Sequence, residues 1–212
     1  MTNLLHIDSS LRGAASVSKE VTAIYANAWR AAHPDGGYRY RDLAGNPVPH
    51  LDAVAHAAAQ VDPAEHTEEQ RQAFQHTADL LDELHWADTV LIGAPMYNFT
   101  VSSLLKTWMD RLFVPAHFVD PATGRGILSD KKVIIATARG GSYAPGTPRE
   151  PLDFQEPYLR GVLGQIGLLD ITFVHTEMTL ADTVPALAQF KDFAAQSRRA
   201  AHETVRELAR SA

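Results

Sequence analysis

Short apolar runs alternate five times with stretches of helical period, and this alternation restricts the fold more than any other feature of the chain. Leu4 to Ile7 forms the first run and stops at the turn-prone Asp8-Ser9-Ser10-Leu11-Arg12-Gly13. Val21, Ile24, Tyr25, Ala28 and Trp29 then fall three and four apart, which predicts an amphipathic helix from about Val17 to Ala32, with Ser16 or Ser18 able to cap it. Strands are predicted at Tyr38 to Leu43, Thr89 to Gly93, Lys132 to Thr137 and Ile171 to Val174. Helices are predicted from Thr67 to about Trp86, from Ser102 or Ser103 to Phe113, from Tyr158 to Ile166 and from Pro185 to Leu208. Thr67 with Gln70 has the spacing of a capping box.

Strands separated by whole helices cannot pair through tight hairpins. They predict an α/β fold with a parallel sheet covered by helices on both faces. Five strands suit the order 2-1-3-4-5 better than a six-stranded dinucleotide fold, and no linker divides residues 1–212, so one domain is expected. In such sheets ligands bind beyond the carboxyl ends of the strands, which directs attention to the loops after strands one, three and four.

The charge balance narrows the partners. With 19 Lys and Arg against 25 Asp and Glu, the net charge of −6 argues against binding to a phosphate backbone, so no nucleic acid is expected. The chain has no cysteine, which excludes disulfides, thiolate metal sites and cysteine nucleophiles. Its ten histidines form no H-E-x-x-H pair, and no metal is expected. No run approaches the roughly 20 apolar residues that span a bilayer. The first residues lack a basic signal region, so a cytoplasmic protein without membrane partners is expected. Gly140-Gly141-Ser142-Tyr143-Ala144 falls one glycine short of a nucleophile elbow, and Asp79, Asp82 and Glu83 read as a solvated helix face.

Three loops carry residues suited to a ligand. Ser9 to Ser18 places four hydroxyls before a helix N-terminus, where free N–H groups and the positive dipole end attract phosphate. Helix capping alone is the simpler account of Ser16 and Ser18. No G-x-G-x-x-G is present, so a terminal phosphate fits better than a pyrophosphate. Pro95-Met96-Tyr97-Asn98-Phe99 offers aromatic rings, a thioether and an amide to a flat ring system, although such residues also serve as core. Ala138-Arg139-Gly140-Gly141 pairs glycines with a cation, suiting either an ordinary turn or backbone donors at the electron-rich edge of a reduced ring.

These segments, with Arg41-Asp42-Leu43, Asn46-Pro47, Pro157-Tyr158-Leu159 and Gly164-Gln165-Ile166-Gly167, closely resemble the bacterial FMN-dependent NADH-azoreductase and NAD(P)H:quinone oxidoreductase family. The resemblance spans nearly the whole chain, and Met96 to Phe99 is its most specific part. It implies a flavodoxin-like homodimer with one non-covalent FMN per subunit and sites at the subunit interface. It also implies that Ser10, Ser16, Val17 and Ser18 hold the phosphate, and that Met96, Tyr97, Asn98 and Phe99 line the isoalloxazine and ribityl region. Ala138, Arg139, Gly140 and Gly141 would then meet the pyrimidine edge. The family often has Ser where Ala138 stands, and Phe118 matches a position where it places an aromatic over the partner's flavin. The implied activity is ping-pong transfer of hydride from NADH or NADPH, through flavin N5, to quinones and azo compounds, with no side chain assigned as acid or base. A pathway-specific flavin reductase and a flavodoxin-type electron carrier are the alternatives.

Overall fold

The computed structural model describes residues 2–114, 120, 122–124 and 126–211. Five strands, β1 (Asn3–Asp8), β2 (Gly37–Asp42), β3 (Thr89–Pro95), β4 (Lys132–Ala138) and β5 (Asp170–Thr176), form one sheet in the order β2-β1-β3-β4-β5. Every neighbouring pair is parallel, as the alternation predicts. Helices α1 (Val17–Ala32), α2 (Ala53–Ala58), α3 (Glu68–Trp86), α4 (Ser103–Leu112), α5 (Gln155–Gln165) and α6 (Lys191–Arg210) accompany it.

Alternate residues of each strand feed different cores, because successive side chains leave opposite faces of a sheet. Leu5, Ile7, Val90, Ile92, Val133 and Ile135 pack with Leu81, Leu84, Leu105, Trp108, Leu159 and Leu163 beneath α3, α4 and α5. Leu4, Leu91, Ile134, Ala136 and Val174 pack on the other face with Val21, Tyr25 and Trp29 of α1 and Ala201, Val205 and Ala209 of α6. Strands buried on both faces explain the near-continuous apolar runs. Trp29 and Trp108 are fully buried, so truncating either to alanine is expected to cost about 3–5 kcal/mol. In α6 the buried Ala201, Val205 and Ala209 recur every fourth position and form the face that packs with α1.

Local chemistry sets the helix ends. Ser16 caps α1 by accepting from the Lys19 N–H, and Thr67 and Gln70 complete a reciprocal capping box at α3. Ser102 caps α4 in the same way as Ser16. Three features depart from the pattern read in the sequence. The short alanine-rich α2 is not among the helices expected from the sequence, because it carries no periodic apolar stripe. The expected long helix at Pro185 begins instead as a 3₁₀ segment, Pro185–Phe190, before α6 starts at Lys191. The third concerns Glu83, which is not a freely solvated carboxylate: it accepts from Arg41 Nε at 2.7 Å and from Nη2 at 2.6 Å, tying α3 to β2.

Candidate functional site

The strand order reverses between β1 and β3: from β1 the chain goes on to β2 on one side, and β3 flanks β1 on the other. At that point the loops diverge and leave a crevice at the carboxyl ends of the strands. A cavity of about 350 Å³ lies there, lined by Ser10, Arg12, Ser16 and Val17 after β1, and by Pro95, Met96 and Tyr97 at the end of β3. Ala138 and Gly140 close it from β4, and Thr179 and Leu180 from the segment after β5.

The loop after β1 brings hydroxyls, a cation and a helix N-terminus to the cavity. Ser10 is buried and its Oγ accepts from the Arg12 N–H at 3.3 Å, which folds the loop back on itself. Ser16 points its Oγ at the first turn of α1, where it accepts from Lys19 N at 3.2 Å. Ser18 is buried behind it, the two hydroxyl oxygens 3.2 Å apart. The first N–H groups of α1 lack intrahelical acceptors and lie at the positive end of the helix dipole. Lys19 is committed to Asp42 at 2.6 Å, whereas the exposed Arg12 on the cavity wall makes no side-chain ion pair among the described residues.

The loop after β3 brings a thioether and an aromatic ring, Met96 and Tyr97, to the same cavity. Tyr97 and Thr100 exchange backbone hydrogen bonds of 3.1 Å in both directions, and Asn98 and Phe99 between them adopt φ of +49° and +70°. That is the geometry of a two-residue hairpin turn with left-handed residues at both centres, normally taken by Asn or Gly. Phe99 holds it at a cost of about 1–2 kcal/mol. The hairpin turns Met96 and Tyr97 into the cavity and leaves Asn98 and Phe99 exposed at its tip. Tyr97 also accepts from the Leu11 N–H through its hydroxyl at 3.2 Å, joining the β3 loop to the β1 loop.

Arg139 occupies a different place from its neighbours. Its side chain is 1% exposed and runs inward to Asp153 at 3.0 Å and Gln155 at 3.2 Å, with Glu177 at 3.8 Å. Its backbone is committed as well, the N–H donating to the Thr176 carbonyl and the carbonyl accepting from Thr179 N. Gln155 donates onward to the Ala94 carbonyl at 3.0 Å, and Glu177 accepts from Tyr143 N at 2.8 Å and Ser142 Oγ at 2.5 Å. The Arg139 guanidinium therefore locks the ends of β3, β4 and β5 together. The N–H groups of Gly140 and Gly141 beyond it make no hydrogen bond among the described residues. A Cβ at Gly140 would stand 2.7 Å from Leu180 Cδ1, so a side chain there would push Leu180 aside at the cavity wall.

Of the residues singled out in the sequence, Ser10, Ser16, Val17, Met96, Tyr97, Ala138 and Gly140 share this cavity. Ser18 and Arg139 are buried and do not line it, Asn98 and Phe99 are exposed at the hairpin tip and do not line it either, and Gly141 faces the neighbouring cavity. Phe118 lies outside the described residues. Arg12, Thr179 and Leu180 were missed. Arg12 was legible as a cation within a hydroxyl-rich loop, whereas nothing near Thr179 marks it as a ligand loop. Among the described residues no three His, Asp or Glu side chains are placed to hold a metal ion, and no helix is long and apolar enough to cross a membrane.

A parallel five-stranded sheet with a lined crevice at the switch point of its strand order is of the doubly wound α/β class, whose ligands bind at that place. Comparison with known proteins narrows this. Residues 2–205 match the family model described as flavodoxin-like fold, and the chain belongs to that family. An FMN-dependent NADH:quinone oxidoreductase of Frankia casuarinae is 43% identical over 206 residues, covering 97% of this chain and 98% of the relative. Another of that name, from Streptomyces avermitilis, is 45% identical over 204 residues, covering 96% and 93%. Among solved structures, an azoreductase of Bacillus anthracis superposes with a TM-score of 0.87 at 24% identity over the whole of both chains. An FMN-dependent NADH-azoreductase of the same species, in complex with FMN, gives 0.82 at 21% identity, covering 98% of this chain and all of the other.

Proposed function

We propose that this chain is an FMN-dependent NADH:quinone oxidoreductase, with residues 1–212 forming one flavin-binding unit. The observation that carries the reading is that one switch-point cavity gathers Ser10, Arg12 and Ser16 together with Met96 and Tyr97. Its relatives' names point the same way.

The residues present fit FMN. Ser10, Ser16, Arg12 and the first N–H groups of α1 would hold the terminal phosphate, which needs neutral donors and one mobile cation. Met96 and Tyr97 would flank the ring system, and the hairpin tip at Asn98 and Phe99 would border it. The free N–H groups of Gly140 and Gly141 would face the edge where negative charge develops, a placement that favours the reduced state. Ala138 offers no hydroxyl there, so recognition at that edge falls to the backbone. FMN, when bound, supplies two-electron chemistry in which hydride from NADH or NADPH is taken up and passed on to a quinone or azo compound in alternating half-reactions.

The protein's part is then to position and to shield. Arg139, Gln155 and Glu177 hold the glycine loop rigid, so its donors need no reorganisation when charge appears. We take the working form as a cytoplasmic homodimer with sites at the interface. The apolar groove of about 610 Å³ where Met109, Phe113, Tyr158 and Val162 meet supports pairing of two copies.

Stopped-flow mixing of the FMN-loaded protein with NADH and with NADPH, then with menadione and methyl red, tests the reading. Flavin bleaching by a nicotinamide, followed by two-electron reoxidation, is expected. A protein that takes up no FMN, or that accumulates semiquinone and passes single electrons, would overturn it.

A further inference from the structure

A second cavity of about 350 Å³ adjoins the crevice, on the other side of the Gly140–Gly141 turn. The partition is one backbone thick. Thr179 N donates to the Arg139 carbonyl and Met178 N to the Gly141 carbonyl, so two loops form a short ladder. Gly140, Thr179 and Leu180 face the crevice, while Gly141 and Met178 face the second cavity.

Its far wall is an apolar stripe. In a 3₁₀ helix residues three apart eclipse one another, so the Pro185–Phe190 segment stacks Leu187 and Phe190 in one row. Phe193, three residues on in the first turn of α6, extends that row. All three line the cavity, yet Phe190 and Phe193 stay 41% and 46% exposed. Large rings held half-open around a void have not been spent on the core. Met178 opposite is buried at φ +57°, a left-handed conformation that methionine adopts at a cost. Such strain persists where surrounding structure needs the residue in place.

Besides Ser142 and Thr147, one cation is among the described residues that line this largely apolar site. The exposed Arg149 lines the cavity, and its guanidinium lies against the bare face of Gly141, where a Cβ would be 3.1 Å from Nη1. Among the described residues the Arg149 side chain has no hydrogen bond, ion pair or ring contact. A void with aromatic walls and an unpaired guanidinium at its edge is complementary to a planar aromatic anion.

From this complementarity we infer that the cavity binds aromatic acids, with the ring between Met178 and the Leu187–Phe190–Phe193 stripe and the carboxylate or sulfonate on Arg149. The ligand would stand one backbone thickness from the crevice. The binding itself does not depend on the flavin reading, because none of the groups that would hold it is assigned to FMN except the Gly141 backbone.

Isothermal titration with naphthalene-2-sulfonate and with neutral naphthalen-2-ylmethanol, run with and without saturating FMN, tests the inference. The sulfonate is expected to bind saturably and about tenfold tighter than the alcohol. Arg149→Gln should remove that preference and leave the alcohol unaffected, and Phe193→Ser should weaken both. Both positions are exposed, so circular dichroism melts should confirm intact folding. Absence of saturable binding overturns the inference, as does sulfonate affinity indifferent to Arg149→Gln. Loss of sulfonate affinity on Arg12→Gln instead would place the anion in the crevice and equally overturn it. Failure to bind FMN leaves the titrations without FMN interpretable.

Discussion

The Arg139 guanidinium lies 3.0 Å from the Asp153 carboxylate, with almost none of the arginine reaching solvent, although an arginine between a strand and two glycines reads as a ligand-facing cation. The pair joins the tip of β4 to the segment before α5, and Gln155 and Glu177 extend it to β3 and β5. A buried cation with several carboxylate and amide partners is a brace for the loop that follows.

Removing that brace should cost stability and ligand affinity together. Arg139→Met leaves Asp153 and Glu177 without their cation in a desolvated setting, and a loss of about 3–5 kcal/mol is expected in urea unfolding. Arg139→Lys keeps the charge but not the planar fork, so it should fall between. If the Gly140–Gly141 donors serve the flavin, the lysine variant should also bind FMN more weakly and shift its reduction potential downward. A lysine variant with weakened folding but an unchanged potential would confine Arg139 to stability.

Phe99 offers the reverse trade. At φ +70° and 42% exposed, it strains the backbone and gains little burial in return. Phe99→Gly should relieve the left-handed penalty, partly offset by unfolded-state entropy, for a net gain of about 0.5–1 kcal/mol. Thermal unfolding of the apoprotein reads this directly. The same variant is expected to bind FMN less tightly, as strained functional residues do when relaxed.

The legibility of this chain follows the range of the interactions. Capping by Ser16 and the Thr67–Gln70 box act within one helical turn, and strand burial is written in consecutive residues, so both were readable. The strand order followed from the alternation and strand count, because parallel neighbours require crossovers. The role of Arg139 was hidden because Asp153 and Glu177 stand far from it along the chain and meet it only when β4 and β5 pair. Thr179 and Leu180 were passed over for the same reason: the loop after β5 enters the site through the sheet, without a motif of its own. Glu83 looked solvated because its partner Arg41 belongs to a strand rather than to its own helix.

His175 gives the fold a pH dependence of known sign. Burial lowers its pKa below the usual 6.5, the Arg139 charge adds to that, and Glu156 opposes it. Nδ1 pairs with Thr137 Oγ1 and Nε2 with Glu156, both at 2.8 Å. The folded state therefore binds this proton less readily than the unfolded chain. Stability should be full above 6.5 and fall as pH drops through 6.5 towards the lowered folded value. Melting temperatures at pH 7.5, 6.5 and 5.5 (roughly spanning that window) should decline in the unaltered protein and less steeply in His175→Gln. Parallel slopes would assign the decline to other groups.

Ser16 combines two duties that substitution can separate. Its Oγ caps α1 and also lines the crevice where a phosphate would sit. Ser16→Ala loses the cap, so the apoprotein should be destabilised by about 1 kcal/mol. Ser16→Asp retains a capping oxygen, and its charge suits the helix dipole, so stability should hold or rise slightly. That charge would face the phosphate, however, and FMN affinity measured by fluorescence quenching should fall well beyond the loss seen with alanine. An aspartate variant that binds FMN as tightly as the unaltered protein would move the phosphate away from the α1 N-terminus, and with it the orientation assigned to the whole cavity.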